Sequence, residues 1–327
     1  NRVACGSATV YFTPRRLAVQ LSLVAEHQEK VLSEVTGPLA SVAFDSHGNP
    51  TKAALGFARA QGVPVAELRV KETERGETVY CQKVDEGVET CVLLKELLPQ
   101  VIREVDFPKT MWWREKGLRF ARPIRWVVAL FGRDAVTFEI AGLSSGRETY
   151  PHRFEEGTLL IGEPSDYQNA LEQAKVVVDP DRRRRLIRDL VEGEAKKVEA
   201  RAIQDVDLLS EVMNLVEYPV AILGRFDPRY LKLPSSVVIT ALREHQRYFA
   251  VEDAQGTVLP YFITVADSPS GDEKTIRAGN ERILASRLED AKFYWDEDRK
   301  EELSKLVHRL KGVVWQEGLG SLYDKTQ

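Results

Sequence analysis

The stretch that most constrains the fold runs from Asp272 to Trp295, the longest segment that reads as one helix. Ile276, Ile283, Leu284, Leu288, Ala291 and Trp295 are expected on its buried side. Such a helix is expected to brace the module before it. There, Pro234 to His245 reads as a helix, and Arg247–Glu252 with Thr257–Ala266 as a hairpin turned at Asp253-Ala254-Gln255-Gly256. Pro180 stands at a first helical position. The helix it opens is expected to reach about Ala200, with Leu186, Ile187, Leu190, Val191, Ala195 and Val198 as its apolar stripe. Leu208–Val216 reads as a further helix and Pro219–Gly224 as a strand. Ile124–Phe131 is expected as a central strand, with Val136–Ile140 as another.

Toward the start, Val10–Val24 is extended around Pro14. Thr51 opens a short helix that Gly62 and Pro64 end, Glu77–Val84 is a strand, and Thr90–Val105 is a helix that Pro99 could kink. Glu301–Leu310 continues helically at the other end. Helices and strands come in blocks without regular βαβ alternation, which makes the class α+β. We read a small N-terminal α/β unit over 1–106 and a larger mixed α+β module over 107–327 with the long C-terminal helix.

The 327 residues are 43% hydrophobic and 29% charged, an ordinary core-forming composition. The longest apolar runs, such as Trp126–Phe131, suit a strand and fall short of a membrane helix. Cys5, Cys81 and Cys91 are too few and scattered for a disulfide framework, so a reducing cytoplasm is the simplest location. The chain opens on Asn1 rather than Met and stops without a terminating signal, which reads as a piece of a longer protein cut at both ends. A net charge of −4 weighs against a wholly basic nucleic-acid-binding domain, so any RNA contact requires a local patch.

Motifs for catalysis are scarce. There is no phosphate-binding Gly-rich loop, and Gly318-Leu319-Gly320 lacks the third glycine of a dinucleotide fingerprint. Five histidines spread from His27 to His308 give no metal-ligand spacing. Gly142-Leu143-Ser144-Ser145-Gly146 matches a hydrolase nucleophile elbow, but Arg147-Glu148-Thr149-Tyr150-Pro151 is a poor start for the helix that must follow. A glycine-serine loop is the better reading. We predict no catalytic residue, metal or cofactor on this chain.

Arginine beside aromatic residues recurs instead. The clusters contain Arg15 and Arg16 after Tyr11-Phe12; Lys109, Arg114, Arg122 and Arg125 around Trp112, Trp113 and Trp126; His152 and Arg153 before Phe154; and Arg243, His245, Arg247 and Tyr248 before Phe249. Guanidinium groups pair bidentately with phosphates, and aromatic rings offer faces to unstacked bases. The plainer reading is that arginines pair with internal carboxylates and tryptophans fill a core. Arg182–Arg185 is four arginines in a row. Successive helical residues point about 100° apart, and Glu192, Glu194 and Glu199 follow, so a solvated, ion-paired face is expected there.

The order of several segments resembles the β subunits of bacterial two-subunit glycyl-tRNA synthetases. They are Thr13-Pro14-Arg15-Arg16-Leu17-Ala18, Asn49–Ala54, Phe120–Trp126, His152-Arg153-Phe154, Val216–Val220, Glu244–Phe249, Gly279–Ala291 and Gln316–Thr326. They cover essentially the whole chain. Trp112-Trp113, Arg125 and Asp267-Ser268 depart from the family pattern and weaken residue-level carry-over at those points. The resemblance implies an α₂β₂ enzyme that joins glycine to tRNA(Gly) with ATP and Mg²⁺, the class II catalytic core being on the α subunit. It implies a region similar to the B3/B4 module of phenylalanyl-tRNA synthetase β subunits. It also implies HD-type and anticodon-binding domains beyond Thr326 and some tens of residues before Asn1. The partners it implies are the α subunit and tRNA(Gly), with neither DNA nor membrane.

Three readings follow. The first is a tRNA-facing and subunit-facing scaffold. The second is an editing hydrolase using His152 or His245, disfavoured because a glycine pocket can exclude every larger side chain sterically. The third is a purely structural interaction domain, which the acidic balance favours.

Overall fold

In the computed structural model, which describes residues 2–74, 76–113 and 118–327, the chain first reverses at Pro14-Arg15. This turn joins β1 (Ala8–Thr13) to β2 (Arg16–Leu21) in a hairpin. The residues divide into two units. One comprises Asn1–Thr9, Val19–Thr149 and Gly162–Pro164, and the other Val10–Ala18, Tyr150–Ile161 and Ser165–Gln327.

The first unit is built on three antiparallel strands in the order β3 (Val31–Leu39), β5 (Gly76–Asp85), β4 (Arg69–Thr73). Helix α1 (Lys52–Gln61) begins where the Thr51 hydroxyl accepts from the Ala53 N–H, and ends at Gly62 in the left-handed region. Ala54 packs with Ala43 and Val79, and Phe57 seats its ring where a Cβ on Gly37 would lie 2.7 Å away. Helix α2 (Thr90–Glu104) runs through Pro99.

The expected central strand Ile124–Phe131 is not one. Only Leu130–Phe131 is regular strand, pairing with Asp134–Ala135. Upstream, the Ala129 N–H donates to the Gly146 carbonyl and the Gly146 N–H to that of Val127. Gly132 in the left-handed region then turns the chain. The run is apolar, yet it divides its hydrogen bonds between two partner segments and so never forms one ladder.

The second unit is a four-stranded antiparallel sheet covered on both faces. Its strands are β6 (Arg201–Ala202), β7 (Pro219–Arg225), β8 (Phe249–Glu252) and β9 (Val258–Asp267), in the order β6-β8-β9-β7. Alternation along the strands sorts the core. Phe249, Val251 and Ile263 pack with Ile187, Val191 and Ala195 of α3 (Pro180–Lys196) and with Leu208 and Val212 of α4 (Val206–Met213). Ala250 and Phe262 face the other way, toward Val238 and Leu242 of α5 (Ser235–Gln246) and Leu284 and Leu288 of α6 (Glu273–Asp298).

Helix α6 is capped by the Asp272 carboxylate, which accepts from the Lys274 and Thr275 N–H groups. Its buried line is Leu284 and Leu288, with Trp295 packed against it. Ile283, expected on that side, is 47% exposed. It precedes Leu284 by one residue, so the two cannot share a narrow face. Downstream, Leu303–Leu306 is α-helical and Val307–Gly312 is 3₁₀.

Phe262 is fully buried and stacks on Tyr248 at 4.6 Å between centroids. Its cross-strand partner is Gly224, where a Cβ would lie 2.4 Å from the ring. Gly224→Ala is therefore expected to cost about 1–3 kcal/mol through displacement of Phe262. Urea denaturation checks this: the midpoint should fall with the slope unchanged.

Candidate functional site

The most strongly built polar site of the second unit is buried. Glu217 follows the end of α4 and precedes β7, where it is fully buried. Its Oε1 accepts from Thr13 Oγ1 at 2.6 Å and from Arg16 Nε at 2.9 Å, and its Oε2 faces Arg15 Nη1 at 3.6 Å. Arg16 Nη2 also donates to the Pro151 carbonyl at 2.9 Å. The β1–β2 turn thereby projects two guanidinium groups onto one carboxylate.

A few residues on, His152 is fully buried, with its Nε2 3.0 Å from Asp267 Oδ1. The same oxygen accepts the Glu217 and Tyr218 N–H groups at 2.8 and 3.0 Å. Arg183 completes the cluster. It is fully buried and donates to three carbonyls: Met213 at 3.0 Å, Val177 at 2.5 Å and Phe12 at 2.9 Å. Burial pulls its pKa down to about 10, while Glu217, Asp179 and Asp267 favour the charged form. It stays a cation at neutral pH.

Arg183 corrects the expectation of a wholly solvated arginine run. Arg182 pairs with Glu172, and Arg184 and Arg185 are exposed, but Arg183 points into the core. The spacing carries the signal, since Arg183, Ile187, Val191 and Ala195 repeat every four residues and are all buried. Arg16, His152 and Tyr248, expected on an RNA-facing surface, are likewise buried.

The cluster at the end of α5 divides in two. Arg243 Nε pairs with Asp205 at 2.5 Å, and its Nη1 with Glu244. Arg247 sits in the left-handed region at φ 56°, donating to Glu211 at 2.6 Å and to the Glu244 carbonyl. Tyr248 is buried, donates to Asn280 of α6, and has its pKa pushed up to about 12 by burial. His245 remains exposed on an open cleft of about 520 Å³ between α5 and α6, with Thr240, Arg287, Asp290 and Tyr294 also lining it.

The other expected cations lie on the surface of one unit or the other. Lys109, Arg122 and Arg125 are exposed in the first unit. In the second, Arg153 is exposed, its guanidinium 5.2 Å from the Phe154 ring centroid. Arg114 lies outside the described residues.

The serine motif is no elbow. Glu139–Ile140 and Leu143–Ser144 form a hairpin turned by Ala141 and Gly142, both at positive φ, and no helix follows. Ser145 is the buried serine, donating to the Val136 carbonyl at 2.7 Å. Among the described residues, no three His, Cys, Asp or Glu side chains come together to hold a metal ion, and no helix is long and apolar enough to cross a membrane. The geometry offers two kinds of group: guanidinium charges neutralised inside the fold, and cations left on its surface, Arg153 among them beside a ring.

A family model described as glycyl-tRNA synthetase beta subunit matches residues 1–327. The chain is 46% identical over 327 residues to the glycine–tRNA ligase beta subunit of Moorella thermoacetica, all of this chain and 47% of that protein. It is 45% identical over 318 residues to that of Desulfitobacterium hafniense strain Y51, 97% of this chain and 46% of that one. It is 42% identical over 327 residues to that of Bacillus subtilis strain 168, all of this chain and 48% of that one. The chain thus spans about half the length of the curated relatives it matches.

Two outcomes test the buried site. Glu217→Ala leaves the Arg16 charge buried without its carboxylate and is expected to cost about 3–5 kcal/mol, read by chemical denaturation. Tyr248 is held neutral by the fold, so its contribution is complete below the ordinary tyrosine pKa of about 10 and is lost as pH rises through about 12. Across that window Tyr248→Phe should lose stability less steeply than the parent chain. Parallel curves would refute the assignment.

Proposed function

Because the chain belongs to the glycyl-tRNA synthetase beta subunit family, we propose that it is the tRNA-facing and assembly region of a glycine–tRNA ligase. The observation that carries this is the match of the family model to the whole chain. In this reading the chemistry, ATP and Mg²⁺ belong to a partner α subunit in a cytoplasmic heterotetramer, and this chain contributes tRNA(Gly) binding and subunit contacts. Its amino-terminal stretch, 1–106, and the α+β body that follows, with its B3/B4-like region, serve as the two parts of that platform.

The surface cations are the proposed phosphate contacts: Lys109, Arg122, Arg125 and Arg153, with His245 at the α5–α6 cleft. A side chain already paired with a carboxylate, whether buried like Arg16 or part-exposed like Arg243 and Arg247, must break that pair before it can bind phosphate. Arg15 and Arg16 on Glu217, and Arg243 and Arg247 on Asp205 and Glu211, therefore serve as supports for the RNA-facing surface. Editing is the weaker reading. His152 is enclosed and committed to Asp267, and a pocket for the smallest amino acid needs no second sieve.

The test is tRNA(Gly) affinity at about 50 and about 200 mM salt, where phosphate binding falls steeply. Arg122→Ala/Arg125→Ala and Arg153→Ala should each weaken binding and reduce the salt slope by about one for every phosphate released. Absence of binding at low salt would leave this chain an assembly scaffold. Unchanged slopes in the variants would remove these arginines from the RNA footprint.

A further inference from the structure

The carboxy-terminal stretch brings together rings and cations that are well separated along the chain. His308 and Lys311 come from the 3₁₀ turn, Trp315 from β10 (Val314–Gln316), and Tyr323 and Lys325 from α7 (Leu322–Thr326). Strand β10 pairs with β11 (Gly320–Ser321) through a turn in which Gly318 and Gly320 both have positive φ. A Cβ on Gly320 would lie 2.6 Å from the Asp324 carboxylate. Its absence lets that carboxylate swing back to accept the Ser321 N–H at 2.7 Å, closing a capping box.

The result is a fixed arrangement. Lys325 Nζ stands 3.3 Å from the Trp315 ring centroid, and Lys311 Nζ 4.6 Å from that of Tyr323. The His308 ring stacks on Tyr323 at 5.9 Å. Trp315 is 48% exposed. Among the described residues, Arg309 pairs with Glu301 and Asp324 is engaged by Ser321, while neither Lys311 nor Lys325 has a carboxylate in ion-pair contact.

We propose that Trp315, Tyr323, Lys311, Lys325 and His308 form a binding site for an unpaired stretch of RNA, with a base stacking on the exposed Trp315 indole, Tyr323 holding Lys311 and His308 beside it, and phosphates taken by the ammonium groups. This rests on the reading that RNA is a ligand of the chain and adds a site which that reading does not contain. Unpaired RNA fits better than duplex because a base must splay out to reach the indole, and A-form stacking hides its faces. An ammonium resting on a π-face keeps N–H donors for a phosphate, and the exposed part of the indole is open to a base.

The experiment uses the full chain with tRNA(Gly), and with a short unstructured oligoribonucleotide as a second probe. Trp315→Leu and Lys311→Gln/Lys325→Gln are each expected to weaken binding of both probes about tenfold. The double lysine variant should also reduce the salt slope by about one to one and a half. Ultraviolet crosslinking should join the peptide carrying Trp315 to unpaired nucleotides. Thermal unfolding recorded alongside should show the variants folded. If the parent chain binds and the folded variants bind equally well with the same slope, the site is wrong although the proposed function stands. If they lose subunit assembly and keep RNA affinity, the surface is a protein contact and the proposal falls. If the parent chain binds no RNA at all, the functional reading fails first.

Discussion

Glu217 is a carboxylate with no access to water, and the second unit is arranged around keeping it and its neighbouring cations paired. Moving such charges out of water costs several kcal/mol per ion, offset by the opposite charge and by hydrogen bonds to the buried groups. Here Arg16 divides its donors between Glu217 and the Pro151 carbonyl, and Arg183 lays its fork across three carbonyls. Those partners come from the β1–β2 turn, the segment before α3, the end of α4 and the chain near His152. A hydrophobic contact would tolerate these segments sliding past one another, but a buried guanidinium with fixed acceptors does not. The cluster therefore specifies which segments meet, whatever its net contribution to stability.

This use of arginine explains how an acidic chain can still be a candidate for RNA binding. Many of its guanidinium groups are committed inside the fold or to nearby carboxylates: Arg16 to Glu217, Arg243 to Asp205 and Arg247 to Glu211. Net charge counts these groups equally with those on the surface, although a paired cation contributes little to attracting a phosphate. What an approaching polyanion meets is the smaller set that points outward without such a pair. The overall charge of −4 is thus a poor guide to the potential over any one patch.

Much of the fold is legible in the sequence because its signals are local. Thr51 caps α1 and Gly62 ends it, Pro180 opens α3, and Asp253-Ala254-Gln255-Gly256 turns the hairpin between β8 and β9. These residues act within one turn of themselves, so a single sequence carries the whole instruction. The site is less legible for the converse reason. A basic–aromatic cluster looks the same whether its arginine faces solvent or a carboxylate far away in the chain, as with Thr13, Arg16 and Glu217. Arg183 hides in an arginine run because its charge is more conspicuous than its spacing. Ile124–Phe131 is apolar enough for a strand, and nothing local reveals that its partners change midway. Trp315 and Lys325 lie ten positions apart, so only the glycine-turned hairpin makes them neighbours.

The long helix shows how the two kinds of constraint combine. The first half of α6 is fixed to the sheet by polar contacts to backbone and side chain. Arg277 donates to the Leu223 carbonyl, Glu281 accepts the Arg225 N–H, and Asn280 accepts from Tyr248. Leu284 and Leu288 then seal the apolar face. Beyond them the helix leaves Phe293 and Tyr294 exposed, and Lys292 pairs with Asp296 on its own surface. Polar contacts dominate where α6 crosses the edge strand β7, because edge-strand and carbonyl groups there need partners that water would otherwise supply. A helix anchored this way at one half presents its other half, and the cleft it shares with α5, on a rigid support. That rigidity lets surface side chains hold a defined spacing without being packed into a core.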